Sequence, residues 1–202
     1  MIFSGLRFFQ SITATHRYSW RRVLASCLLT LMAAFSCLCL GMQPALAGFN
    51  DDHFDGNIFV LYGGNGSLVP AKVTLEDSLK RHKPAFLVFY VDDSSDCKQY
   101  ATVVSGLQAY YGRVASFIPV TVDSISPKTS YQPTEPGYYY EGLVPQTVLI
   151  DQNGKVVLNE KGRVAFEKVD DAFREVFNLL PRAESPALKQ RAFNEFNTEL
   201  SQ

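Results

Sequence analysis

Acidic residues are absent from the first 47 positions of this 202-residue chain, which contain four arginines instead. Because the whole chain carries a formal net charge of only −1, residues 48–202 carry about −5. Charged residues make up 19% of the chain, which excludes a disordered charged tail and a strongly basic nucleic-acid binder. The chain is therefore a cationic leader followed by a mildly acidic domain, and we predict no nucleic-acid partner.

Cysteine is scarce in the acidic part. Cys27, Cys37 and Cys39 lie in the leader, and Cys97 is the one cysteine that follows it. The leader cysteines are interpreted as small apolar residues. No disulfide can form within residues 48–202, which limits any redox chemistry of the domain.

The leader also lacks charge over the 20 residues from Val23 to Met42. Ala45-Leu46-Ala47 then precedes Gly48, which is the small-x-small pattern of a secretory signal and predicts cleavage after Ala47. The apolar run is also long enough to span a bilayer, so an uncleaved signal anchor is the alternative. Both interpretations place the domain on the non-cytoplasmic side of a membrane.

The rest of the chain falls into three predicted segments: a short flexible acidic spacer at 48–56, a folded domain at 57–180 and a C-terminal helical extension at 181–202. Apolar runs and turn signals predict mixed α/β structure with a small central sheet. The predicted strands are Ile58–Tyr62, a central strand Ala85–Val91, a strand Ser116–Val122 in which Pro119 indicates an edge or a bulge, and a hairpin around Asn153-Gly154. The main predicted helices are Cys97–Tyr111 and Val169–Leu180.

Three segments of the domain together resemble thioredoxin. They are Phe86-Leu87-Val88-Phe89-Tyr90, Ser94-Ser95-Asp96-Cys97-Lys98, and Val144-Pro145-Gln146-Thr147 before a hairpin and a final helix. The resemblance covers about residues 57–180. It implies an α/β, thioredoxin-like three-layer fold with a central mixed sheet, preceded here by a signal or anchor helix and followed by an extra C-terminal helix. It also implies a cis peptide bond before Pro145.

The thioredoxin motif Trp-Cys-Gly-Pro-Cys-Lys is incomplete here. Ser94 stands in place of the first cysteine, and only Cys97 and Lys98 match. Because that first thiolate attacks the substrate disulfide, the sequence excludes the ordinary dithiol reaction. The neighbouring aspartates are expected to raise the pKa of the Cys97 thiol. We interpret Cys97 as a packed apolar residue, with a single-cysteine redox protein that exchanges thiols through Cys97 as the alternative.

Other chemistry at this turn has weaker support. The aspartates beside Ser94 lack the glycine and distal glutamate of a calcium loop, and helix capping accounts for them better. Ser94 as a hydrolytic nucleophile needs a base, and neither His53 nor His82 lies in a motif that would supply one. We therefore predict no metal and no cofactor.

A tyrosine-rich loop precedes Pro145. Its candidate partner-binding residues are Tyr131, Tyr138, Tyr139, Tyr140 and Leu143. Tyrosine suits interfaces because it offers apolar area together with a hydroxyl group. By the resemblance, the loop leads to the groove where thioredoxins bind extended peptides, so we predict a partner-binding surface; packing over the core is the alternative.

The leader, the domain without the cysteine pair and the tyrosine-rich loop together resemble a narrower family, the cyanobacterial thylakoid-membrane photosystem I accumulation factors. This resemblance implies a non-catalytic assembly factor in the thylakoid membrane or lumen, with the periplasm as the alternative location. Its expected partner is a membrane protein complex or its subunits, photosystem I among them.

Overall fold

The computed structural model describes residues 20–36 and 48–188. The chain divides into two units, Met1–Leu46 and Ala47–Gln202. In the first unit, residues 20–36 form helix α1 with exposed side chains. Within the two described ranges, no helix is long and apolar enough to cross a membrane. The end of the predicted apolar run and the predicted cleavage site after Ala47 lie outside the described residues.

The second unit contains a four-stranded mixed sheet with strand order β2-β1-β3-β4. Its strands are β1 (Ala85–Tyr90), β2 (Ser116–Thr121), β3 (Gln146–Ile150) and β4 (Val156–Lys161). β1 pairs in parallel with β2 and antiparallel with β3, and β4 pairs antiparallel with β3. Every residue of β1 is buried, which confirms the predicted central strand. Pro119 lies in the edge strand β2, where its missing N–H is tolerated.

Helices cover both faces of this sheet. They are α2 (Ile58–Leu61), α3 (Leu75–Lys80), α4 (Ser95–Tyr111) and α5 (Phe166–Val176). Alternate side chains of β1 point to opposite faces of the sheet. On one face, Phe86 and Val88 belong to an apolar cluster that includes residues of α4 and α5. On the other face, Leu87 and Phe89 belong to a second cluster, which includes Leu75 of α3. The result is the three-layer, thioredoxin-like architecture that the sequence predicts.

The predicted strand at Ile58–Tyr62 is wrong, because these residues form helix α2. The Asn57 side chain accepts hydrogen bonds from the N–H groups of Phe59 (3.1 Å) and Val60 (3.4 Å) and caps the helix. Asp92 Oδ1 accepts a further one from the N–H of Ile58 at 2.9 Å. A short apolar run does not distinguish a strand from a buried helical turn, and here the capping residues decide.

The segment after α5 is held to that helix by charge. Asp170 accepts hydrogen bonds from Nε of Arg174 at 2.8 Å and from Nε of Arg182 at 3.1 Å. Of the predicted C-terminal extension, Arg182–Glu184 is a 3-10 turn and residues 185–188 are irregular. The remainder of that predicted helix lies outside the described residues.

Candidate functional site

The turn between β1 and α4 carries the incomplete motif, and its polar groups cap the helix. Ser94 is the N-cap residue of α4, and its Oγ accepts a hydrogen bond from the N–H of Cys97 at 3.4 Å. Asp52 Oδ1 accepts one from the N–H of Ser95 at 2.8 Å. These bonds satisfy backbone N–H groups that a helix leaves unpaired at its start, which confirms the capping interpretation of Ser94.

The aspartates of this turn point to different partners. Asp92 accepts from the backbone of Ile58, whereas Asp96 forms an ion pair with Arg163 at 3.2 Å. Across residues 20–36 and 48–188, no group of three or more His, Cys, Asp or Glu side chains is placed to hold a metal ion. The carboxylates at the turn therefore serve backbone and side-chain contacts within the protein.

Cys97 lies inside the apolar cluster under α4, and its side chain is 1% exposed. Burial is the main cause of its raised pKa, and the charges of Asp96 and Asp93 add a smaller effect in the same direction. The direction of this pKa shift agrees with the sequence-based expectation, and desolvation contributes more to it than the neighbouring aspartates do. A buried thiol with a raised pKa is protonated at neutral pH and is a poor nucleophile.

Lys98, the other residue that matches the thioredoxin motif, has a buried side chain that holds the chain segment before the domain. Its Nζ donates to the carbonyl oxygens of Gly48 (2.9 Å) and Asp51 (3.1 Å), and to the carboxylates of Asp51 (3.0 Å) and Asp55 (2.7 Å). We name residues 48–56 the acidic strap. The sequence predicts a flexible spacer there, but the strap is hydrogen-bonded to the first turns of α4.

The charges of this cluster shift one another's pKa. Burial lowers the pKa of Lys98, but the hydrogen bonds to Asp55 and Asp51 outweigh it and raise the pKa overall. The pKa of Asp55 is lowered, first by the hydrogen bond from Lys98 and then by the one from the Tyr62 hydroxyl, whose oxygen lies 2.5 Å from Asp55 Oδ2. Lys98 and Asp55 are therefore both ionised over the physiological range.

Pro145 directly precedes β3, and the peptide bond between Val144 and Pro145 is cis, as the resemblance implies. Pro145 is buried, and Val144 packs against the same apolar cluster that contains Cys97. The Gln146 side chain fixes the preceding loop, since its Nε2 donates to the carbonyl of Tyr139 at 2.8 Å and its Oε1 accepts from the N–H of Glu141 at 2.9 Å.

Three of the predicted partner-binding tyrosines pack within the protein. Tyr139 is buried, and its hydroxyl donates to the carbonyl of Pro133 at 2.8 Å. The Tyr140 ring lies 5.3 Å from the ring of Phe89 on the sheet. The hydroxyl of Tyr131 donates to the carbonyl of Ser126 at 2.9 Å. For Tyr139 the alternative interpretation, packing over the core, is correct, because its ring joins the apolar cluster on that face of the sheet.

Tyr138 and Leu143 remain on the surface, 55% and 57% exposed. Leu143 stands two positions before the cis proline, and Tyr138 packs edge-on against Tyr139 at 5.0 Å between ring centroids. We name these two residues the exposed pair. They are the most exposed members of the predicted partner-binding set.

An open cavity of about 590 Å³ lies between α3, the edge strand β2 and the tyrosine-rich loop. Its walls include Val73, Ile118, Ile125 and Tyr131. This cavity is on the α3 side of the sheet, whereas Cys97 belongs to the cluster on the opposite side. The motif turn and the cavity are thus separate features of the domain.

The contacts of the acidic strap are not predicted from the sequence. The available signal was weak: three aspartates within 48–56 and one lysine in the first turn of a helix more than 40 positions later. A solvated acidic segment is the commoner reason for such a run, and only the fold brings Lys98 to it.

Comparison with known proteins identifies one close relative. The chain is 52% identical over 183 residues to the thylakoid membrane protein slr1796 of Synechocystis sp., covering 85% of this chain and 91% of the relative. No protein-family model matches the chain.

Solved thioredoxin structures are more distant. A germline-specific thioredoxin of Drosophila melanogaster is 22% identical, with 50% of this chain and 93% of that chain covered and a TM-score of 0.39. The thioredoxin of Fasciola hepatica is 20% identical, with 50% and 89% covered and a TM-score of 0.38. Given the identity and coverage of the Synechocystis relative, the chain belongs to the family of the thylakoid membrane protein slr1796.

Proposed function

We propose that this protein is a non-catalytic assembly or accumulation factor that acts on the lumenal side of the thylakoid membrane. In this proposal, it supports the accumulation of photosystem I by binding that membrane complex or its subunits. The location is supported by the leader and by the name of the Synechocystis relative, a thylakoid membrane protein.

The observation that carries the proposal is that the turn between β1 and α4, where thioredoxins have their two cysteines, lacks a reactive thiol. The position of the attacking thiol is occupied by Ser94, whose hydroxyl is used as a helix cap. The remaining thiol of Cys97 is 1% exposed and has a raised pKa. A thioredoxin-like domain in this state retains the scaffold and lacks the reactive group, which favours binding over turnover.

The exposed pair is the proposed contact surface. Tyrosine and leucine side chains that are more than half exposed contribute binding energy when a partner buries them. Leu143 stands two positions before cis-Pro145, and Gln146 holds the loop backbone between the two residues, at Tyr139 and Glu141, through two hydrogen bonds. A prearranged loop loses less conformational entropy on binding.

Complementation tests this proposal. The gene is deleted in a cyanobacterium, full-length variants are reintroduced, and photosystem I content per cell is measured from the P700 absorbance change. We expect the deletion to lower photosystem I content. The wild-type chain and Cys97→Ala should restore it, whereas the double variant Tyr138→Ala, Leu143→Ala should not.

Leu180→Ala is the matched control, because Leu180 is 56% exposed and lies outside the loop; it should restore photosystem I fully. Undiminished photosystem I in the deletion strain would contradict the proposed function. Failure of Cys97→Ala alone, with the variant protein present at normal level, would favour the single-cysteine redox alternative.

A further inference from the structure

The acidic strap begins at Gly48, the residue that becomes the chain start if the leader is removed after Ala47. We propose that the α-ammonium group exposed at Gly48 by this cleavage forms an ion pair with the Asp51 carboxylate and completes the charge cluster around Lys98. This ion pair forms only after the leader is removed. It rests on the proposed function only in requiring that the protein is exported and its leader cleaved.

The geometry around Gly48 supports this ion pair. A Cβ placed on Gly48 would lie 1.6 Å from Oδ2 of Asp51 and 2.7 Å from Oδ1. The backbone nitrogen and a Cβ are bonded to the same Cα, so the nitrogen of Gly48 lies within about 4 Å of Asp51 Oδ2. That is ion-pair distance once the nitrogen is charged. A side chain at position 48 would displace the carboxylate, so the close approach requires glycine.

Lys98 alone does not balance the carboxylates that it contacts. The single positive charge of Lys98 faces two carboxylates, Asp51 at 3.0 Å and Asp55 at 2.7 Å, which leaves one negative charge in excess. The three N–H bonds of the ammonium are already used by oxygens of Gly48, Asp51 and Asp55. Asp52 is the third acidic residue of the strap, and its carboxylate accepts a hydrogen bond from the N–H of Ser95 in α4.

The chain start supplies the missing charge at the right place. Before cleavage, the Gly48 nitrogen is a neutral amide; after cleavage, it is an ammonium group with one positive charge and new N–H donors. Two neighbouring side chains are titratable. The Tyr62 hydroxyl donates to Asp55 at 2.5 Å and lies 3.4 Å from the carbonyl oxygen of Gly48, and the charge of His53 acts on Asp55; neither side chain donates a hydrogen bond to Asp51. Leader removal therefore adds the positive charge that balances Lys98, Asp51 and Asp55, and it ties the start of the strap to the Asp51 carboxylate, which Lys98 of α4 also contacts.

The test uses the full-length chain expressed in a cyanobacterium and purified from its membranes after processing. N-terminal sequencing should find Gly48 as the first residue. Competitive acetylation of the α-amine over a pH series then gives its pKa, which should exceed the ordinary range of about 7.7–8.0. A partly exposed ion pair corresponds to an upward shift of about half a pH unit.

Two variants separate the ion pair from the fold of the strap. Asp51→Asn removes the charge and keeps an oxygen for Lys98, and Gly48→Ala keeps every charge and displaces the carboxylate. Both should return the α-amine pKa to the ordinary range while Lys98 stays protected from acetylation. Asp123→Asn, an acidic substitution outside the strap, should leave the shift unchanged.

A chain start other than Gly48, including an uncleaved leader, would overturn the proposal. An α-amine pKa that is equal in the wild-type protein and in Asp51→Asn would overturn it as well. Neither result depends on photosystem I content, so the proposed function and this inference can fail separately.

Discussion

Thiol reagents should alkylate Cys97 very slowly in the native protein, because the opening that exposes it costs most of the free energy of unfolding of the domain. Its side chain is 1% exposed within the apolar cluster under α4, so a reagent reaches the sulfur only after that region opens. An opening free energy of about 5 kcal/mol, the lower end for folded domains, slows labelling by between three and four orders of magnitude. The raised pKa of the thiol lowers the native rate further.

The assay is alkylation of the full-length protein with iodoacetamide, followed by digestion and mass spectrometry of the Cys97 peptide. The rate in native buffer is compared with the rate in urea at the same pH. A cysteine introduced by Val114→Cys in a Cys97→Ala background is the control, because Val114 is exposed and should label rapidly. Native labelling of Cys97 within tenfold of the unfolded rate would refute the argument and would favour thiol exchange.

Two further predictions concern the contacts that hold the ends of the domain. Lys98→Met should release the acidic strap, seen as faster proteolytic cleavage within residues 48–56, whereas Lys72→Met should not, since Lys72 is exposed. Asp170→Asn should lower the free energy of unfolding at pH 7 by about 3 kcal/mol. This is the lower end of the range for breaking a buried ion pair, because Arg182, one of the two arginines that contact Asp170, is partly exposed. An unchanged urea midpoint would contradict this prediction.

The pH dependence of that loss has a defined sign. Burial raises the pKa of Asp170, but the hydrogen bonds from Tyr111 and Arg174 outweigh it and hold the pKa below its ordinary value of 3.8. The stabilisation is therefore complete above that value and is lost as the pH falls through the folded-state pKa. Urea unfolding at a series of acidic pH values should show the wild-type protein and Asp170→Asn converging in stability.

Local sequence patterns determined most of the sheet and the start of α4. The apolar run of β1 indicated a strand buried on both faces, Asn153-Gly154 indicated the hairpin, and Ser94 indicated a helix cap; each signal comes from residues a few positions apart. The loss of the attacking thiol at position 94 is likewise visible in the sequence alone. These features could be predicted because each depends on residues that are neighbours along the chain.

The tertiary structure alone decided the features that depend on distant partners. The helix Ile58–Leu61 is capped by its neighbour Asn57, but its first N–H group, on Ile58, is accepted by Asp92 from 34 positions away. The acidic strap is hydrogen-bonded to α4 because the fold places Lys98 against it, and Tyr139 is buried while Tyr138 is exposed because one ring meets the sheet. The sequence by itself specified a thioredoxin-like domain without its nucleophile. The fold decided which side chains remain on its surface, because burial depends on what lies opposite in space.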